Sequence, residues 1–154
     1  MRSAKPPDFQ PDLDHLLCFA VYSAGLAFTR VYRRPLQRLG LTYPQYLVMV
    51  ALWAGEPLGV SDLGERLSLD SSTLTPLLKR LEATGLVTRS RSKGDERRVV
   101  VALTEKGRAL QPQAEDVMRC IAEASGMLPK EVARLNHEIR SLRSNLDRVA
   151  ELAD

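Results

Sequence analysis

Apolar positions along the chain recur first at a helical period. Leu13, Leu16, Leu17, Ala20, Val21, Ala24, Phe28 and Val31 predict one long helix from Asp12 or Leu13 to about Leu39. Pro35 should kink or restart it, and Gly40 should end it. Thr42-Tyr43-Pro44-Gln45 has the form of a capping box and predicts a second helix to Ala54, stopped by Gly55. Ser61 is expected to cap a short helix over 62–67, with Ser68-Leu69-Asp70 as the turn after it. Asp70 or Ser71 then starts a helix that Gly85 ends, with Pro76 about one turn in. The pattern changes at Leu86. Leu86–Ser90 and Arg98–Leu103 read as strands, the second β-branched through Val99-Val100-Val101, with Ser92-Lys93-Gly94-Asp95 as the bend. Thr104 caps a helix expected to kink at Pro112, and Leu128-Pro129 opens the last one. In it Val132, Leu135, Ile139, Leu142, Leu146 and Val149 form a narrow heptad stripe.

This order predicts a mainly α fold with a small β-hairpin wing: a winged helix-turn-helix with N- and C-terminal dimerisation helices. The helix from Ser71 is apolar on one face. Its other face carries Ser71, Thr73 and Thr75, then Lys79 and Arg80. Hydroxyls can bond base edges, and cations can engage phosphates. The hairpin tip is Lys93-Gly94-Asp95-Glu96-Arg97-Arg98, and Arg89 adds a cation on the first strand. Arg97 is the candidate for the minor groove, with Asp95 placed to hold its guanidinium. A net charge of +3 and a pI near 9.1 are too small a surplus to argue nucleic-acid binding, so the clustering of cations carries that argument. The expected organisation is a single domain over 1–154: a flexible arm over 1–11, dimerisation helices over 12–40 and 105–154, and a winged-helix DNA-binding region over 43–104. The expected partners are double-stranded operator DNA and a second copy of the chain, because a helix-turn-helix reads paired half-sites through a two-fold protein.

Other classes fit poorly. No apolar run approaches the ~20 residues of a membrane span, and Met1 to Pro11 is polar and proline-rich, with no secretory core. A cytoplasmic protein is expected. Cys18 and Cys120 are far apart, and His15 and His137 are scattered and read as surface or interface residues, so neither a metal site nor a cofactor is expected. No nucleophile–base arrangement or phosphate loop is visible, and the chain does not read as an enzyme.

At these residues the chain resembles the MarR family of winged helix-turn-helix regulators, over about Leu13 to Leu152. The resemblance rests on the acidic-then-arginine wing Asp95-Glu96-Arg97-Arg98 and on Leu103-Thr104-Glu105-Lys106-Gly107. Three segments narrow it: Leu17–Tyr22, Leu41–Leu47 and Leu69–Arg80 are similar to the organic-hydroperoxide-responsive (OhrR-like) branch. The resemblance implies that Cys18 is a peroxide sensor and that Tyr32 and Tyr43 hydrogen-bond its thiolate across the dimer. It also implies that Cys120 belongs to the two-cysteine type, in which a second cysteine after the wing captures the oxidised sensor in an intersubunit disulfide. The oxidant is then an organic hydroperoxide.

Read alone, the residues around Cys18 are less committal. Cys18, Gly25 and Tyr32 share one line of the first helix, beside its apolar stripe, and a small buried residue at the edge of a packed face is the plainer alternative. Cys18 and Tyr32 are 14 positions apart, about 21 Å at 1.5 Å per residue. Tyr32 therefore cannot bond its own Cys18, but it can reach a partner's if the first helices cross antiparallel. Nothing local activates the thiol: the helix dipole has faded by Cys18, Asp14 stands at i−4, and no cation lies one turn away on either side. Two rivals remain at this point. One is the same fold released by a small phenolic or anionic ligand, with inert cysteines. The other is a thiol peroxidase, against which stand the lack of a thioredoxin-like strand pattern and of an activating Arg or His near Cys18.

Overall fold

The computed structural model describes residues 12–152, so the expected arm over 1–11 lies outside the described residues. The chain divides after Ala114 into two compact units.

The first unit opens with a short 3-10 turn, Leu13–His15, rather than with the long helix expected from Asp12. The Asp12 carboxylate accepts the Asp14 N–H at 3.1 Å, and Leu16 is extended (φ −88°, ψ 110°), so α1 runs Leu17–Leu39. Pro35 sits inside α1 without ending it. α2 spans Tyr43–Ala54 behind the expected capping box: Thr42 N–H donates to Gln45 Oε1 at 2.8 Å, and Gln45 N–H to Thr42 Oγ1 at 3.4 Å. A two-residue strand, β1 (Leu58–Gly59), follows; it is too short to show any alternation in sequence. α3 covers Val60–Leu67. Its cap is Gly59 and not Ser61, because Asp62 falls at the third helical position and its Oδ2 accepts the Gly59 N–H at 3.2 Å.

α4 spans Ser71–Ala83, capped by Asp70, and shows why its sequence is two-faced. Leu74, Leu77, Leu78 and Leu81 are buried, whereas Ser71, Thr73, Thr75, Lys79 and Arg80 are exposed. β2 (Val87–Arg91) and β3 (Val99–Leu103) form the hairpin, and β1 adds to the other edge of β3, giving an antiparallel sheet ordered β1-β3-β2. The register pairs Val87 with Leu103, Arg91 with Val99 and Leu58 with Val101. The core of this unit lies between α2, α4 and the sheet, around Met49, Leu52, Leu63, Leu78, Leu81 and Val101. The fold is thus mainly helical with a small antiparallel wing.

The expected kink at Pro112 is instead a division into two helices at Leu110: α5 (Glu105–Ala109) and α6 (Gln111–Ala124). Pro112 is the second residue of α6, where its missing N–H leaves no bond unmade. α5 is docked through Gly107. The Thr104 hydroxyl accepts the Gly107 N–H at 3.0 Å, and Trp53 Nε1–H donates to Gly107 O at 3.0 Å. Glu56 accepts from the Leu103 N–H and, at 2.7 Å, from Arg108 Nε. A Cβ added at Gly107 would collide with the Leu86 carbonyl oxygen, a backbone atom that cannot rotate away. Gly107→Ala is therefore expected to destabilise the protein by about 3 kcal/mol, the upper end for overpacking. Urea unfolding measures this, and an unchanged midpoint with an unchanged slope would refute the tight docking.

The second unit carries the end of α6 and α7 (Pro129–Glu151). Val132 and Leu142 on the α7 stripe are half-buried, but Leu135, Ile139, Leu146 and Val149 are exposed. No helix among the described residues is long and apolar enough to cross a membrane.

Candidate functional site

Two clusters carry chemistry, one on α4 and the wing and one between α1 and α2. At the start of α4, the Asp70 carboxylate accepts the Ser72 hydroxyl at 2.6 Å and the Thr73 N–H at 2.7 Å. These bonds hold Asp70 below the usual carboxylate range, the Ser72 hydroxyl contributing most. The Ser71, Thr73 and Thr75 side chains are left exposed, as are Lys79 and Arg80 one to two turns on.

The wing is braced at both ends. At its tip, Ser92 N–H donates to Arg98 O at 2.8 Å, and Arg98 N–H to Asp95 O at 2.9 Å. The Asp95 carboxylate accepts the backbone N–H of Arg97 at 3.0 Å. Among the described residues it makes no ion pair with the Arg97 guanidinium, contrary to the expected role. Asp95 instead shapes the turn that presents Arg97. The pair that does form is Asp62 with Arg98, at 2.9 and 3.2 Å, which ties the wing to α3. Arg89 is similarly engaged: its Nε and Nη2 reach Glu82 Oε2 at 2.9 and 2.6 Å, and its N–H reaches Oε1 at 3.2 Å. The hydrogen bonds from Arg89 keep the Glu82 carboxyl below its ordinary value. Arg89 thus fixes β2 to the end of α4, a second task beside the DNA contact expected of it. Between α3, α4 and the wing is an open cavity of about 320 Å³ that brings Ser61, Thr75, Arg89, Arg97 and Arg98 together. Arg97 is the guanidinium there without an acidic partner among the ion pairs of the described residues. Replacing Arg97 by Ala is expected to weaken DNA binding by ~1–3 kcal/mol. A titration of selected duplex that showed no change would remove Arg97 from the interface.

The second cluster is aromatic. Tyr32 of α1 lies against Tyr43 of α2, ring centroids 4.8 Å apart. The sequence pairs these two through resemblance but does not single out Tyr46, one turn further along α2. Its ring is 5.8 Å from Tyr32 and meets Trp53 edge-on at 6.5 Å. The available signal is the i, i+3 spacing of Tyr43 and Tyr46 in a capped helix. Burial raises all three phenols, Tyr46 to about 12. They stay protonated at neutral pH and can donate hydrogen bonds. The Tyr46 hydroxyl is buried and has no partner among the described residues.

In the protomer Cys18 is exposed on α1, and Cys120 is exposed on α6 in the second unit. Both are free thiols. His15 is exposed and bonds Asp12 at 2.9 Å, and His137 is exposed on α7. Among the described residues no three His, Cys, Asp or Glu side chains are grouped to hold a metal ion.

Residues 30–112 match the model of a family described as transcriptional regulator SarA/Rot. The chain is 48% identical over 139 residues to the HTH-type transcriptional regulator TtmR of Methylorubrum extorquens, covering 90% of this chain and 71% of the relative. It is 42% identical over 134 residues to the organic hydroperoxide resistance transcriptional regulator of Bacillus subtilis, covering 87% and 91%. Among solved structures it is similar to AbfR of Staphylococcus epidermidis. Reduced AbfR bound to DNA superposes with a TM-score of 0.71 at 36% identity, covering 87% of this chain and 94% of that one. Disulfide-formed AbfR superposes with a TM-score of 0.62 at 38% identity, covering 84% and 91%.

Proposed function

The chain belongs to the MarR/SarA family of winged helix-turn-helix transcriptional regulators, and from that premise we propose that it is a homodimeric repressor released from operator DNA when an organic hydroperoxide oxidises Cys18. Membership makes it a DNA-binding regulator and not an enzyme, which removes the peroxidase alternative. The observation that carries the redox reading is the packed pair Tyr32–Tyr43. Two protonated phenols packed side by side form a ready donor site for a thiolate, and α1 is too long for them to serve their own Cys18. The partner's Cys18 is the thiol they fit.

The chemistry balances simply. The Cys18 thiolate attacks one peroxide oxygen, the O–O bond breaks, and the alkoxide leaves and takes a proton to become an alcohol. Sulfur is oxidised to the sulfenic acid and the peroxide is reduced. A Cys120 thiol from the partner can then displace hydroxide, which leaves as water, to give a disulfide. The names of the relatives support this reading: one is a regulator of organic hydroperoxide resistance, and the other has been solved both reduced on DNA and with its disulfide formed.

The second reading, release by a phenolic or anionic ligand with the cysteines not sensing, draws on one observation, the buried and unpartnered Tyr46 hydroxyl. The test is DNA binding before and after cumene hydroperoxide, for the wild type and Cys18→Ser. Wild type should lose the duplex and Cys18→Ser should hold it. Release of both by the peroxide would transfer the sensing role elsewhere.

A further inference from the structure

A charged face of α1 has no part in either cluster. Arg30, Arg33, Arg34 and Arg38 are spaced i, i+3, i+4 and i+8, so they share one side of the helix. All four are exposed. The opposite side holds Tyr32, stacked on Tyr43 and Tyr46, and Leu36, which is buried. The last third of α1 is thus clamped to α2, the first helix of the winged region, with its guanidinium face turned outward. No Asp or Glu occurs between Asp14 and Glu56, so neither α1 itself nor α2 supplies a counter-charge. None of the four arginines takes part in the ion pairs of the described residues, whereas Arg89, Arg98 and Arg108 are all paired.

We infer that this arginine ridge is a second DNA contact, which holds the phosphate backbone of duplex lying outside the half-sites met by α4 and the wing. The inference rests on the DNA-regulator reading and extends its footprint. Four uncompensated guanidiniums on a helix held by its inner face have little structural use, and their mutual repulsion favours a polyanion. The ridge runs about 12 Å from Arg30 to Arg38 at 1.5 Å per residue. Phosphates advance ~3.4 Å along the duplex axis per strand, so a short run of backbone fits the length. Arginine suits this task because its planar fork pairs with phosphate oxygens bidentately. Such contacts add affinity and salt dependence without reading sequence.

The experiment uses the full-length protein and two duplexes: 20 base pairs bearing the sequence that the protein selects from a randomised pool, and the same sequence centred in 40 base pairs. The wild type should bind the longer duplex more tightly and with a steeper salt dependence. A variant with all four arginines changed to Gln should bind the 20-base-pair duplex as the wild type does and forfeit the advantage of the longer one. Its salt slope on the 40-mer should flatten by about 0.9 for each phosphate that is no longer neutralised. Four Lys in the same places should restore most of the slope, which separates charge from any effect on folding. The inference is overturned if the Gln variant keeps the long-duplex advantage. It is also overturned if the variant binds both duplexes normally but no longer binds phosphatidylglycerol vesicles, which would make the ridge a membrane contact. Failure of the wild type to select any duplex would instead bring down the DNA-regulator reading itself.

Discussion

Reduced protein treated with an organic hydroperoxide and run without reductant is expected to migrate as a covalent dimer, joined through Cys18 of one chain and Cys120 of the other. Both thiols are exposed and unpaired, so neither needs unfolding to react. A sulfenic acid condenses with a nearby thiol faster than it climbs to the sulfinic state, provided the thiol can reach it. Geometry then supplies the switch. A disulfide needs Cα atoms within about 7 Å. Cysteines resting further apart than this in the proposed reduced dimer would close only if the helices bearing them move, and that movement is expected to disturb the spacing of the α4 helices and wings. On the proposed mechanism the two cysteines have separable roles. Cys120→Ser should give no covalent dimer and should still release DNA through the sulfenate, while collecting more sulfinic acid by mass spectrometry. Cys18→Ser should give neither the dimer nor release. A covalent dimer that survives in Cys18→Ser would have to be joined by Cys120 to Cys120, and that would defeat the assignment. Release by Cys120→Ser at the wild-type rate, without any extra sulfinic acid, would make Cys120 a bystander and the protein a one-cysteine sensor.

The parts of the fold that can be read from sequence are those whose signal is local. The Thr42–Gln45 box, the Asp70 cap and the two-faced pattern of α4 each depend on residues within one or two turns, and each forms as expected. The misreadings have a common cause. Ser61 is a better cap than Gly59 by composition, but Asp62 is engaged on both sides, by the Gly59 N–H and by Arg98 from the wing 36 residues away. Asp95 next to Arg97 suggests an ion pair, yet the carboxylate is used by the Arg97 backbone N–H, and the salt link runs from Arg98 to α3. β1 exists only because β3 offers it an edge. In the aromatic cluster, Tyr32 and Tyr43 are legible through resemblance, whereas Tyr46 joins them only because α1 lies across α2. Long-range partners decide these positions, and a single sequence does not display them.

Leu146→Asp is expected to dissociate the dimer and to abolish high-affinity operator binding in the same step. In the protomer Leu146 is 61% exposed, and Leu135, Ile139 and Val149 beside it on α7 are exposed as well, at 41%, 43% and 66%. α1 repeats the pattern with Leu17, Val21, Phe28 and Val31. Apolar side chains at such regular spacing on exposed helix faces form the surface that the proposed dimer would cover. The substitution at Leu146 is the clean one, since the protomer does not use that side chain for its own packing. Leu142 is half-buried, and changing it would mix folding with assembly. Burying a leucine contributes about 1.5–3 kcal/mol, and a two-fold interface loses the residue twice. A loss of roughly 3–6 kcal/mol raises the dimer dissociation constant by about 10²–10⁴-fold at 1.4 kcal/mol per decade. The buried aspartates add to that. The separated protomers keep α4 and the wing intact but meet one half-site at a time, so they retain only the weaker, salt-sensitive part of binding. Light scattering at micromolar concentration and duplex titration should therefore change together, with the far-ultraviolet circular dichroism unchanged. A Leu146→Asp protein that remains dimeric would place the interface elsewhere. A monomer that binds the selected duplex as tightly as the wild type would end the two-fold model.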